Sequence, residues 1–230
     1  MEIDIEKRYE TKFSVTHINY HEIEHVIKTH PSIFHNIYHK RNVNNIYFDN
    51  IDLSSYRDNI EGEKYRQKVR MRWYGNLFGE CKNPNLEIKN KSGPLGWKER
   101  HKLDSFKLEP DSFFNYNSIF EGLIQDNNFD ILKLNLKHLR PTLLNRYERS
   151  YFLSADKKYR VTLDTKMEFY SINPIVEFFK TFSDLEKTVV ELKYDQRDVD
   201  GVEKITQFFP FRVTKNSKYV IGIERIRNWK

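Results

Sequence analysis

The sequence predicts an α+β fold, a mainly antiparallel sheet able to close into a barrel and decorated by helices. Three observations predict it. Most of the 230 residues fall into short segments with period-two alternation, turn residues punctuate them, and a few segments with helical stripes are inserted between the strands. Hydrophobic residues make up 38% and aromatics 15%, enough to build a core and to exclude a disordered chain.

The elements follow in order. Arg8 to Val15 alternates as a strand. Asn19 to Thr29 reads as a helix, with Ile23, Val26 and Ile27 on one stripe and Pro31 ending it. Asn45 to Asp49 is a strand and Leu53 to Asn59 a short helix. Tyr65 to Tyr74 is a long strand stopped at Gly75. Leu86 to Lys91 and Gly96 to Leu103 form a hairpin around Ser92-Gly93-Pro94-Leu95. Asp111 to Gln125 and Phe129 to His138 have helical patterns. Leu143 to Leu153 and Tyr159 to Asp164 are strands joined by a tight turn near Ala155-Asp156. Glu168 to Tyr170 and Thr188 to Lys193 are strands, Val199 to Phe209 is a helix, and the tail after Ser217 is another. No linker or internal repeat divides residues 1–230, so one domain is expected.

Lys and Arg number 39 against 33 acids, a net charge of +6 that suits a polyanionic partner without requiring one. Cys81 is the sole cysteine, which rules out an internal disulfide and points to a reducing compartment. Met1 to Arg8 lacks the apolar core of a signal peptide, and no window approaches the roughly 18 apolar residues that span a bilayer. A soluble, cytoplasmic protein without a membrane segment is expected.

Where the charges fall says more. Residues i and i+2 of a strand share a face. Lys68, Arg70 and Arg72 share one, opposite Val69, Met71 and Trp73. Arg8, Glu10 and Lys12 share another, as do Glu87, Lys89 and Lys91, then Lys98, Arg100 and Lys102. Tyr147, Arg149 and Tyr151 lie together, and Glu191 with Lys193 opposes Val190 and Leu192. On one strand such a face simply meets water. On six strands, accompanied by helices whose apolar stripes need a surface to cover, the charged faces turn inward. Desolvated like charges cost several kcal/mol each unless paired or bound to anions. A chain of phosphates would satisfy them, and Arg offers phosphate a bidentate fork.

The motifs run in a specific order: Arg8-Tyr9-Glu10-Thr11-Lys12, Ile46-Tyr47-Phe48-Asp49-Asn50, Tyr56-Arg57 and Val69-Arg70-Met71-Arg72-Trp73-Tyr74-Gly75. Leu86-Glu87-Ile88-Lys89, Tyr147-Glu148-Arg149 and Arg160-Val161-Thr162-Leu163-Asp164 follow. Val190-Glu191-Leu192-Lys193 and Lys215-Asn216-Ser217-Lys218-Tyr219 close the series. From about residue 6 onward, this series resembles the VTC domain, the polyphosphate polymerase domain of the vacuolar transporter chaperone type, within the triphosphate tunnel metalloenzymes. The regulatory domain and membrane segments of some eukaryotic relatives have no counterpart, which implies a stand-alone form.

The resemblance implies a tunnel fold that binds ATP and polyphosphate or triphosphate with Mn²⁺ or Mg²⁺. By that resemblance Lys12, Arg57, Arg70, Arg72, Lys89, Arg149, Lys215 and Lys218 line the tunnel and hold phosphates. Ser217 adds a hydroxyl and Tyr147 a further contact. Glu10, Lys98, Arg100 and Lys193 complete the substrate wall, and Glu191 binds the metal. The wider superfamily often begins with Glu-x-Glu-x-Lys. Here Arg8 replaces the first glutamate, which removes a metal carboxylate and favours polymerase-like over hydrolase-like chemistry.

Other motifs carry less. His21-Glu22-Ile23-Glu24-His25 matches the zinc-protease pattern but lacks a third ligand, so solvated histidines are expected. His30, His35, His39 and His138 are too scattered for a metal set. Cys81, in an expected loop, has no catalytic companions. Lys98 to Lys102 has no RNA-binding aromatic motif beside it, so no nucleic acid is expected. The expected activity is ATP–polyphosphate phosphotransfer. A tunnel-fold triphosphatase and a non-catalytic polyphosphate-binding module are the alternatives. Acceptor, chain length, preferred metal and oligomeric state are not legible in the sequence.

Overall fold

The computed structural model describes residues 7–110, 114–124, 136–172 and 178–227. Its strands are β1 (Arg8–Val15), β2 (His35–Asp49), β3 (Tyr65–Tyr74), β4 (Gly79–Cys81), β5 (Asn85–Ser92), β6 (Leu95–Lys102), β7 (Phe106–Leu108), β8 (Arg140–Leu153), β9 (Tyr159–Ile172), β10 (Phe178–Asp184) and β11 (Thr188–Asp195). Eight of them run in the order β9-β11-β1-β6-β5-β3-β2-β8, and β8 pairs back onto β9 to close an antiparallel ring. Closure pairs strands that would otherwise present free edges. β10 extends the sheet beside β9, while β4 and β7 form a separate two-stranded sheet.

The helices are α1 (Tyr20–Lys28), α2 (Ser54–Glu61), α3 (Tyr116–Ile124), α4 (Val202–Thr206) and α5 (Lys218–Arg227). No described helix is long and apolar enough to cross a membrane. Two apolar clusters coat the ring. Val69, Met71 and Trp73 of β3 pack with Leu86 and Ile88 of β5 beneath Phe114 and Phe120. Phe13, Val161, Val190 and Leu192 pack against Ile23 and Ile27 of α1 and Ile205 of α4. The apolar half of β1, β3, β5 and β11 thus goes outward under helices and loops, and the charged half goes inward.

A third cluster gathers around α5. Tyr219 and Ile223 pack among Val43, Tyr47, Leu143 and Tyr147. Gly222 permits this approach: a Cβ there would meet the Leu143 methyls and the Phe169 ring, the latter at 2.9 Å. Buried Asp49, at the end of β2, locks the junction. Its carboxylate accepts from the backbone N–H of Ser55 and Tyr56 at 3.1 Å each and from the Tyr219 hydroxyl at 2.6 Å.

Several boundaries differ from the sequence pattern. β2 spans fifteen residues rather than Asn45–Asp49, because its polar, exposed first half, His35 to Arg41, shows no alternation. Glu168–Tyr170 belongs to β9. That strand continues through Lys166 in the left-handed region (φ 50°), opposite a register shift between Arg146 and Glu148, and the bulge breaks the period-two pattern. β4, β7 and β10 gave no legible strand signal. Residues Gln196–Gly201 form a 3-10 turn leading into α4, where one helix over Val199–Phe209 was expected. The helix expected over Asp111–Gln125 is Tyr116–Ile124, with 111–113 and 125 outside the described residues. Most of the expected helix Phe129–His138 also lies outside them.

Candidate functional site

Strand periodicity turns Lys68, Arg70 and Arg72 of β3 away from the outer core, and cross-strand register sets Arg70 between Tyr47 and Glu87. Arg70 donates from Nε and Nη2 to one oxygen of Glu87, at 2.9 and 2.6 Å. Arg72 stands 3.5 Å from that oxygen, and Arg100 donates to the other at 3.1 Å. Burial alone would raise the pKa of Glu87. Arg72, Arg70 and Lys98 outweigh that effect and hold the carboxyl well below its usual range. Arg72 also donates to Asn45 at 2.8 Å and to the Tyr147 hydroxyl at 3.0 Å.

Asp164 of β9 organises a second group. Arg149 forks onto its two oxygens at 2.5 and 2.6 Å, and Lys218, at the start of α5, donates at 2.5 Å. Glu191 of β11 lies between Lys193 at 2.8 Å, Lys12 at 3.4 Å, Arg149 at 3.5 Å and Lys218 at 3.8 Å. Burial opposes its ionisation, but Lys193, Lys12, Lys218 and Arg149 together keep it ionised well below the ordinary range. Glu10 holds Lys89 at 2.8 Å and reaches Lys12 at 4.0 Å. Lys12 itself is pushed up to about 12, because Glu191 and Glu10 overcome its burial.

Two lysines lack such compensation. Lys68 donates to the Ser217 hydroxyl at 2.8 Å, and burial beside Lys12, Lys89, Arg66 and Arg70 lowers its pKa to about 7. Lys98 is exposed to water. Even so, its surroundings lower it to about 7: burial, with Arg100, Arg70 and Arg72, outweighs the opposing pull of Glu87.

The structure therefore brings together Glu10, Lys12, Arg70, Arg72, Lys89, Arg100, Tyr147, Arg149, Glu191, Lys193 and Lys218, with Lys98 and Ser217 beside them. Arg57 is instead exposed on α2, and Lys215 is exposed in the segment before α5. Glu10 was expected among the substrate contacts. The structure places its carboxylate between Lys89 and Lys12. Three members of the cluster were absent from the sequence-derived set: Glu87, Asp164 and Lys68. Their signals were present, since Glu87 alternates with Lys89, Lys68 with Arg70, and Asp164 with Thr162. Asn45 has no such pattern.

The residues set aside stay outside the cluster. Glu22 is spent on the α1 capping box with Asn19, each side chain accepting from the other's backbone N–H at 3.0 Å. Cys81 lies on β4 rather than in a loop, and burial pushes its thiol to about 12, which leaves it inert.

No group of three His, Cys, Asp or Glu among the described residues forms a metal cage. Glu191 and Glu10 share Lys12 and so flank one space. One or two carboxylates of this kind fit a hard divalent ion that completes its shell with substrate phosphates.

Lys68 and Lys98, lowered to about 7 while burial lowers Lys89, Lys91 and Lys193 as well, set a pH dependence for any phosphate bound here. A bound phosphate raises their pKa values, so binding takes up protons. Below about pH 7 both are already charged and affinity is flat; above it, affinity falls by up to roughly tenfold per pH unit per lysine. Titration calorimetry with tripolyphosphate, in two buffers of different ionisation enthalpy, measures this uptake. Constant affinity from about pH 6.5 to 9 would contradict the assignment of both lysines.

A family model described as the VTC domain matches residues 7–227. No curated protein matches the sequence. Two solved structures superpose along nearly the whole chain. A candidate adenylate cyclase from Vibrio parahaemolyticus is 10% identical, with a TM-score of 0.51, covering 95% of this chain and 98% of that one. A candidate adenylyl cyclase from Hippeastrum, in which triphosphatase activity dominates, is 13% identical, with a TM-score of 0.51 and 96% of each chain covered. At these identities the likeness shows the fold alone, the triphosphate-tunnel fold expected from the sequence. Since the family match takes in every strand of the ring and the helix α5 packed against it, the chain belongs to the VTC domain family.

Proposed function

We propose that the ring interior binds a phosphate chain with a divalent cation and transfers the terminal phosphoryl group of ATP to polyphosphate. One observation carries the reading: Arg and Lys side chains from β1, β3, β5, β6, β8, β11 and α5 converge, among the described residues, on four carboxylates, Glu10, Glu87, Asp164 and Glu191. The excess is cationic and largely desolvated, which suits a polyanion.

Phosphoryl transfer asks a protein mainly for positioning and charge stabilisation. Arg70 and Arg149 already present their forks to carboxylates, Arg72 donates to the Asn45 amide oxygen and the Tyr147 hydroxyl, and phosphate oxygens accept in the same geometry. Lys12, Lys89, Lys193 and Lys218 act as point charges along the chain, with Tyr147 and Ser217 as hydroxyl contacts. Lys98 and Arg100 extend the wall on β6. Mn²⁺ or Mg²⁺, held by Glu191, supplies charge neutralisation when bound. The acceptor needs no general base, because a terminal phosphate oxygen is already anionic.

A second reading, hydrolysis of triphosphate in the same interior, is favoured by the dominant triphosphatase activity of the Hippeastrum protein. Incubating pure protein with ATP and Mn²⁺ and resolving the products on a gel separates the two. A polyphosphate ladder is expected. Phosphate alone identifies a triphosphatase, and binding without turnover identifies a binding module.

A further inference from the structure

Beyond the ion pairs, the inward faces of β2, β3 and β8 end in aromatic residues. Tyr74 follows Arg72 by two residues on β3, and Tyr151 follows Arg149 by two on β8. Cross-strand register brings Tyr38 of β2 opposite Tyr151 and Arg41 opposite Arg149. The Arg41 guanidinium lies 4.4 Å from the centroid of Tyr38 and 5.7 Å from those of Tyr74 and Tyr151. The rings of Tyr38 and Tyr151 meet edge-on at 5.4 Å. Three tyrosines thus surround one guanidinium where the phosphate-binding faces end.

This collar is not spent on packing. Tyr38 is 49% exposed and Tyr74 40%, whereas tyrosines placed only to fill a core hide their rings. Its connection to the charged interior is electrostatic as well as positional. Burial raises the Tyr151 hydroxyl to about 12, with Arg149, Tyr74, Tyr147 and Arg72 among the groups acting on it.

We propose that the collar is a nucleobase platform, on which Tyr38, Tyr74 and Arg41 stack the base of a nucleotide whose phosphates lie along the charged interior. The proposal rests on the phosphate-binding reading above. Aromatic and guanidinium faces stack on any base with little regard to its identity. The spacing suits a nucleotide: two residues of strand rise about 7 Å, a gap a ribose bridges between a base on the collar and a phosphate on Arg72 or Arg149. Because Tyr carries no charge at neutral pH, replacing Tyr38 or Tyr74 removes stacking area without altering the charge offered to phosphate.

The experiment compares ATP with inorganic tripolyphosphate, each titrated by calorimetry without metal. The proteins are the wild type, the Tyr38→Ala/Tyr74→Ala double variant, and Tyr74→Trp. The double variant is expected to lose about tenfold or more in ATP affinity while binding tripolyphosphate like the wild type. Tyr74→Trp, with a larger stacking face, is expected to bind ATP at least as well as the wild type. Equal ATP affinity in the double variant overturns the platform, as does an equal loss for both ligands. A wild-type protein that binds neither ligand overturns the phosphate-binding reading itself, and the platform with it.

Discussion

Glu191→Gln is expected to abolish Mn²⁺-dependent turnover, by at least about a hundredfold, while metal-free tripolyphosphate binds as tightly as before or tighter. The substitution keeps the side chain's shape but removes the hard anionic oxygen a divalent ion requires, and the metal's share of transition-state stabilisation is several kcal/mol. It also deletes a negative charge from a space occupied by Lys12, Lys193, Lys218 and Arg149. Those cations then lack their shared counter-charge. Breaking a buried pair from one side costs about 3–5 kcal/mol, so the ligand-free variant melts earlier than the wild type. Tripolyphosphate, taking the carboxylate's place, restores stability by mass action, about 2.7 kcal/mol at a hundredfold excess over its dissociation constant. Three measurements on one preparation decide the matter: melting temperature with and without tripolyphosphate, its metal-free affinity, and turnover. A folded variant with wild-type turnover removes Glu191 from the metal site.

Asp164→Asn is expected to be the most destabilising polar substitution in the ring, at about 3–5 kcal/mol. Asp164 is fully buried and supports both the Arg149 fork and the Lys218 ammonium. An amide offers one acceptor oxygen to two buried cations and turns a donor toward one of them. Because Lys218 opens α5, the loss also loosens that helix, and hydrogen exchange over Lys218–Arg227 should accelerate more than exchange in β3 or β5. The pH dependence has a definite sign. Arg149 and Lys218 overcome burial and lower the folded pKa of Asp164 below 3.8, so its contribution is complete above that value and disappears as pH falls through the lowered one. The stability difference between wild type and variant should therefore vanish on acidification. A difference that persists to strongly acidic pH would show that the loss comes from packing.

Local alternation made much of this legible. Every i, i+2 series of Lys, Arg and Glu on β1, β3, β5, β6 and β11 identifies a face without reference to any other strand, because a strand's two faces follow from backbone geometry alone. The opposing apolar series, such as Val69, Met71 and Trp73, then assigns the charged face to the interior once helices are seen to need the outer surface. Where alternation fails, the polar first half of β2 went unread, and the Lys166 bulge divided β9 into two expected strands.

The sequence by itself determined the fold class, the cation-rich face of each strand and the family to which the motifs belong. The tertiary structure alone decided which charges meet. Lys89 finds Glu10 across 79 residues of chain, Lys12 finds the Asn216 carbonyl across 204, and Lys218 finds Asp164 across 54. Those encounters depend on strand register and on β8 closing onto β9, which no local pattern encodes. Arg57 on α2 and Lys215 before α5 are exposed, although their motifs resemble those of the tunnel wall. Pairing of β3 and β8 on the two sides of β2 assembles Tyr38, Arg41, Tyr74 and Tyr151 from three strands into one collar, a juxtaposition that no single strand's pattern encodes.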